Sequence, residues 1–143
     1  MCAITRFIIY IDDLGQKFPQ HLMDFQQRVI AQNASPDGDF LKAYHNHFNE
    51  YYCLFEPIPA NCINLSAMDF LNGCLLEQML ESHDMKLNEA PPSWPYFLRT
   101  KTGSAQSYAF MLFPKETELH MSTYIHVIDD ITLFTNMVND LLS

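Results

Sequence analysis

Two adjacent carboxylates, Asp12 and Asp13, close an apolar run that reads RFIIYIDDLGQ. At a helix C-terminus such a pair faces the negative end of the helix dipole and is disfavoured unless a cation compensates it. Mg²⁺ is a cation of that kind, since it takes near-octahedral oxygen coordination and is usually held by one or two carboxylates plus substrate phosphates. The competing reading is a plain acidic turn that ends a helix. A second group of oxygen donors lies near the other end of the chain, where Thr132, Thr135, Asn139 and Ser143 recur at spacings of three and four. That spacing puts them in one row on a helix. Either the row faces water, or its neutral oxygens, an unusual choice for a face that would normally carry Lys or Glu, suit a hard cation. Spacing leaves both readings open.

Other chemistries find less support. His45 and His47, two apart on an expected helix, point to different sides and make a poor metal pair, so they are expected to be ordinary, partly exposed histidines. There is no glycine-rich phosphate loop, no HExxH and no GxSxG. The TGSAQS stretch reads as a loop or helix break. Eight Lys and Arg against seventeen Asp and Glu give a formal net charge of -9, which repels nucleic-acid phosphates and anionic lipid surfaces. A polyanionic ligand would therefore need a cation between itself and the protein. Cys2, Cys53, Cys62 and Cys74 contain no CxxC spacing and sit among apolar neighbours, as expected of buried free thiols in a reducing compartment. FIIYI is too short for a secretory h-region, and nothing approaches the roughly 18 apolar residues of a membrane span. A cytoplasmic protein is expected, and the N-x-S matches at Asn33 and Asn64 carry no weight.

The elements that must position these residues are helical. The length of 143 residues suits one domain with one core, and 48% hydrophobic residues with only four glycines favour an ordered, helix-rich chain. Phe18, Leu22, Phe25 and Val29 predict an amphipathic helix over 18–33, followed by a turn at SPDGD. Phe40, Tyr44, Phe48, Tyr51 and Phe55 predict a second helix with an aromatic core face, which EPIPA interrupts. A third runs from Asn61 to about Ser82, a loop follows at NEAPPSWP, and another helix begins near Tyr96. The segment from Lys115 to Ser143 reads as one long helix with Ile131, Phe134, Val138 and Leu141 on one face. FIIYI alone has strand propensity, but a lone strand would have no partner, so it too is expected to be helical and the fold all-α.

Taken together, the motifs resemble the class I terpene cyclases, specifically the fungal trichodiene synthase family. In order along the chain, YIDDLGQ resembles the aspartate-rich metal motif, LNGCLLEQ a family helix segment, FLRT the segment with the diphosphate-sensing arginine, LFPKE a further marker, and VNDLLS the opening of the second metal motif. The resemblance implies that Asp12 is the principal Mg²⁺ ligand with Asp13 in support, that Asn139 and Ser143 are ligands of the second motif, and that Arg99 binds the substrate diphosphate. It implies a sesquiterpene cyclase that ionises farnesyl diphosphate with Mg²⁺ and cyclises the carbocation, in fungal secondary metabolism. Aromatic faces would stabilise that cation in a dry pocket. Gln16 stands where the family often has another acidic residue, and the glutamate turn of the second motif would fall beyond Ser143. Residues 1–143 are therefore expected to form a single, incomplete terpene cyclase domain, part of a class I terpenoid synthase helical bundle. Homodimerisation stays open. The alternative is a catalytically inactive remnant acting as a helical interaction protein.

Overall fold

In the computed structural model, the described residues are 3–31, 39–82 and 84–142. The turn expected at 35–38, together with Cys2, Asn33 and Ser143, lies outside them. The elements are α1 (Ala3–Leu14), α2 (Pro19–Ala31), α3 (Asp39–Leu54), α4 (Pro57–Glu81), α5 (Trp94–Thr102), α6 (Ala105–Met111), α7 (Met121–Tyr124) and α8 (Ile128–Leu142), with 3₁₀ turns at Gly15–Lys17, Lys115–Thr117 and Ile125–Val127. No strand occurs among the described residues, and the fold is all-α as expected.

The β-branched start of the chain is helical because its side chains have somewhere to go. Ile11 is fully buried, and the Phe7 ring sits 5.3 Å from Phe40 and 5.2 Å from Tyr44. Tertiary packing outweighs the local strand preference here. The aromatic stripe of α3 is core, with Tyr44, Phe48, Tyr51 and Phe55 all buried. The Tyr44 hydroxyl donates to the Ala67 carbonyl at 2.9 Å, so this deep phenol reaches a backbone acceptor. His47, expected to be partly exposed, is instead buried, with Nδ1 2.5 Å from Glu50 Oε2 and its ring 4.9 Å from Tyr51.

The axis of the fold is α4. It carries small and apolar residues on several sides (Ala60, Ile63, Ala67, Phe70, Leu71, Cys74), and α1, α2, α3, α5 and α6 all pack on it. A helix apolar around most of its circumference belongs in an interior. It begins at Pro57, four residues before the expected start, because proline is tolerated at the first helical position, where its missing N–H has no partner to lose. At Gly73 an added Cβ would meet Thr102 Cγ2 at 2.8 Å and the backbone of Lys101 and Thr102 at 3.1 and 3.0 Å. Glycine thus lets the last turn of α5 lie directly on α4. Lys101 fastens the same contact, with Nζ 2.8 and 2.9 Å from the two Asp69 carboxylate oxygens.

Two further expectations fail. The segment after Lys115 is not one helix. Glu118 adopts φ 53°, the His120 ring accepts from the Ser122 amide to start α7, and Tyr124, stacked on Phe113 at 4.2 Å, anchors a 3₁₀ link into α8. The cysteines also differ among themselves: Cys53 is exposed, Cys62 is half-buried and only Cys74 is buried. The break expected at TGSAQS does occur, at Gly103 and the left-handed Ser104, and the chain re-enters a helix at Ala105.

Candidate active site

The C-terminal turn of α1 carries Asp12 and Asp13, both exposed. The Asp12 carboxyl is nevertheless held above the ordinary carboxylate range, first by its partial loss of water and second by the Asp13 charge. Across from it stands a residue that the sequence did not single out. Glu77, half-buried on α4, is raised by its own burial, by Asp12 and by Glu81, and is lowered by Arg99. Cys74, one turn earlier, is pushed up to about 12 by burial and by the Asp12 and Glu77 charges. Glu77 therefore lies within electrostatic reach of both Asp12 and Arg99, and joins two sequence motifs that are far apart in the chain.

Arg99, near the end of α5, is directed at α8. Its Nε lies 2.7 Å from Asp140 Oδ1, and its Nη2 donates to the Asn136 carbonyl at 3.4 Å. The Nε–H is not aligned along the 2.7 Å approach and has no hydrogen-bond acceptor among the described residues, so the Asp140 contact is an ion pair by distance and not a directed hydrogen bond. Gly103 makes the approach of the two helices possible, because an added Cβ would fall 2.2 Å from Asn136 Oδ1. Asn136 itself is 6% exposed, and its Oδ1 has no hydrogen-bond partner among the described residues.

Of the sequence-predicted residues, Asp12 and Arg99 both act on the Glu77 carboxyl, the first raising it and the second lowering it. Asn139 lies exposed on α8, beside Asp140 in sequence, and Ser143 lies outside the described residues. Thr132 and Thr135, read with Asn139 as a polar row, donate their hydroxyls to the carbonyls of Ile128 and Ile131 one turn back, each at 2.8 Å. Those hydroxyls serve their own helix. Asn136 and Asp140, four apart, form the face of α8 that meets Arg99.

Among the described residues, no three acidic, histidine or cysteine side chains converge closely enough to cage a metal. Mg²⁺ does not require a cage, because one or two carboxylates with water and ligand phosphates complete its shell. Asp12, Asp13 and Glu77 offer carboxylate oxygens of the kind such a shell uses. A cavity of about 480 Å³ between α2 and α4 is lined by Pro19, Met23, Leu75, Gln78 and Met79 among others. Another of about 600 Å³ is lined by Ile58, Phe113, Leu119, Met121 and Tyr124 among others, and its lining includes neither Asp12 nor Arg99. No helix among the described residues is long and apolar enough to cross a membrane.

The all-α fold is consistent with that of a terpene synthase. A sequence description of the family named trichodiene synthase (TRI5) matches residues 2–143, and this chain belongs to that family. It is 30% identical to the terpene synthase BipA of Cochliobolus sativus over 94% of its length and 32% identical to an (E)-beta farnesene synthase of Metarhizium brunneum over 100%. It is also 30% identical to alpha-cuprenene synthase COP6 of Coprinopsis cinerea, again over 100% of its length. The chain spans 41%, 44% and 42% of these three relatives, less than half of each.

Proposed function

We propose that this chain carries the ionisation site of a Mg²⁺-dependent sesquiterpene cyclase acting on farnesyl diphosphate in fungal secondary metabolism. The observation that supports the reading is the family match over residues 2–143, with Asp12 and Arg99 standing in the segments that resemble the family's metal and diphosphate motifs. The relative named for farnesene favours farnesyl diphosphate among prenyl diphosphates. The reaction would proceed in the cytoplasm.

Asp12, supported by Asp13, and Asn139 with Ser143 would hold Mg²⁺, which when bound supplies positive charge to the departing diphosphate. Glu77 adds carboxylate charge on the α4 side of the same region. Arg99 would donate its N–H groups to diphosphate oxygens, a charge-assisted contact suited to the planar guanidinium. Stabilising charge where it develops on the leaving group lowers the barrier to breaking the allylic C–O bond. Tyr44, Phe48 and Tyr51 of α3 are buried in the core.

The test is incubation of the 143-residue chain with farnesyl diphosphate and Mg²⁺, followed by analysis of the organic extract for terpene hydrocarbons. A Mg²⁺-dependent product is expected, reduced by about 10²–10³-fold or more in Asp12→Ala, the range typical of losing one electrostatic contact to a leaving charge. A folded sample that forms no product, or a product untouched by Asp12→Ala, would refute the reading.

A further inference from the structure

We infer that Asp140 is the resting partner of Arg99, holding the guanidinium against α8 in the substrate-free chain and yielding it when a diphosphate arrives. The inference rests on the assignment of Arg99 to the substrate diphosphate made above, and adds a residue that competes with the substrate for it.

Three features of the geometry support a displaceable pair over a permanent staple between α5 and α8. The approach is close, 2.7 Å from Nε to Oδ1, yet the Nε–H is not aligned along it. The second tie, from Nη2 to the Asn136 carbonyl, is long at 3.4 Å. The Asp140 side chain is 58% exposed and the Arg99 side chain 23%, so water reaches the pair and screens it. A diphosphate offers several charged oxygens and can accept two parallel N–H bonds from one guanidinium, which a screened and misaligned carboxylate contact does not match.

Sequence position sharpens the consequence. Asp140 directly follows Asn139, a proposed metal ligand, and both ride on α8. Departure of Arg99 from Asp140 would leave that carboxylate unpaired beside the metal-binding position just as the metal-borne diphosphate occupies the region. Asp140 is thus a positioning residue that acts through Arg99, and need not touch the substrate.

Equilibrium titration of inorganic pyrophosphate at fixed Mg²⁺ tests this on the full chain, comparing the native protein with Asp140→Asn, Arg99→Gln and the double variant. Asp140→Asn is expected to bind pyrophosphate roughly two- to fivefold tighter, the range that release of one exposed ion pair provides. Arg99→Gln is expected to weaken binding, and Asp140→Asn in that background to change nothing further. Helix content by circular dichroism checks each fold, and Asp140→Ser replaces the Asn variant if the latter does not fold. Unchanged or weaker binding in Asp140→Asn overturns the proposal while leaving the role of Arg99 intact. Equal tightening in both backgrounds overturns it too, because it would mark a general effect of removing one negative charge. Native affinity in Arg99→Gln would remove the assignment of Arg99 itself, and the proposal with it.

Discussion

Along α4 the same helix serves two neighbourhoods that treat polar groups in opposite ways. Around Ile63 to Ala67 polar donors end on backbone acceptors: Tyr44 donates to Ala67, Asn64 to Phe48, and Ser107 to Ile63. Each bond offsets the cost of burying its donor, and the surrounding side chains are close-packed aromatic and aliphatic groups. Two turns further on, around Cys74 and Glu77, the neighbours are carboxylates that raise one another, and the nearest guanidinium is turned toward another helix. The first neighbourhood pairs its buried donors, leaving the Asn64 Oδ1 without a partner among the described residues. The second stores like charge at a cost to folding and would be relieved by a cation. Stability and chemistry have been separated along one rod, a few turns apart.

If that separation is real, the largest effect should come from the satisfied end. Tyr44→Ala removes a fully buried ring together with its hydrogen bond to α4, and is expected to cost about 3–5 kcal/mol in urea denaturation at neutral pH. Tyr44→Phe keeps the ring but leaves the Ala67 carbonyl short of a donor, so it should cost less, on the order of 1–2 kcal/mol. A Tyr44→Ala variant as stable as the native chain would break the contrast outright.

An intermediate effect is expected where the two neighbourhoods meet. Gly73 is where α5 rests on α4, one turn before Glu77, and an added methyl there meets backbone atoms that cannot swing aside. Alanine gains up to about 1 kcal/mol over glycine in a helix interior, but overpacking against backbone costs about 1–3 kcal/mol. Gly73→Ala should therefore be destabilising by about 1–2 kcal/mol, and the displaced α5 should weaken pyrophosphate binding through Arg99. A stabilised Gly73→Ala variant would show that α5 is free to move off α4, and that the position of Arg99 is not fixed from that side.

Much of the satisfied end was legible in the sequence. The aromatic stripe of α3 and the apolar periodicity of α2 and α4 are local patterns, and the burial follows from them. The charged end was legible only at its two motif residues, Asp12 and Arg99. Glu77 looked like one polar residue among the apolar ones of LNGCLLEQ, and nothing local marks it, because its significance comes from Asp12 and Arg99 arriving from other helices. Asp140 was overshadowed by Asn139, since a row counted in threes and fours from Thr132 passes it by. The long helix expected after Lys115 failed for the converse reason. Apolar residues continue at helical spacing through Met121, Tyr124 and Ile128, and only the tertiary stack of Tyr124 on Phe113 shows that the chain turns there. His47 was misjudged because its burial depends on Phe7, forty residues away, whose ring lies 5.6 Å from the imidazole.

The smallest effect is the most diagnostic of the unsatisfied end. Glu77 has a folded-state pKa raised from 4.5, so the folded chain binds its proton more tightly than the unfolded chain does. Stability then falls as pH rises from the unfolded value through the folded one, because the unfolded state releases the proton first. Glu77→Gln removes this titration. The Gln variant should match the native chain most nearly below about pH 4.5, gain on it as pH rises, and hold a constant advantage above the raised value. Urea midpoints measured for both proteins between pH 4.5 and 8 read the contribution of Glu77 together with its coupling to Asp12 and Cys74. Asp12 is raised in the same direction, so Asp12→Asn should show a slope of the same sign. Saturating Mg²⁺ should reverse the order at pH 8, because a bound cation stabilises the ionised carboxylates and rewards the native Glu77 over Gln. A Gln variant less stable than the native chain at pH 8 without any metal would mean that Glu77 is already paired within the protein, and the two ends of α4 would no longer differ in kind.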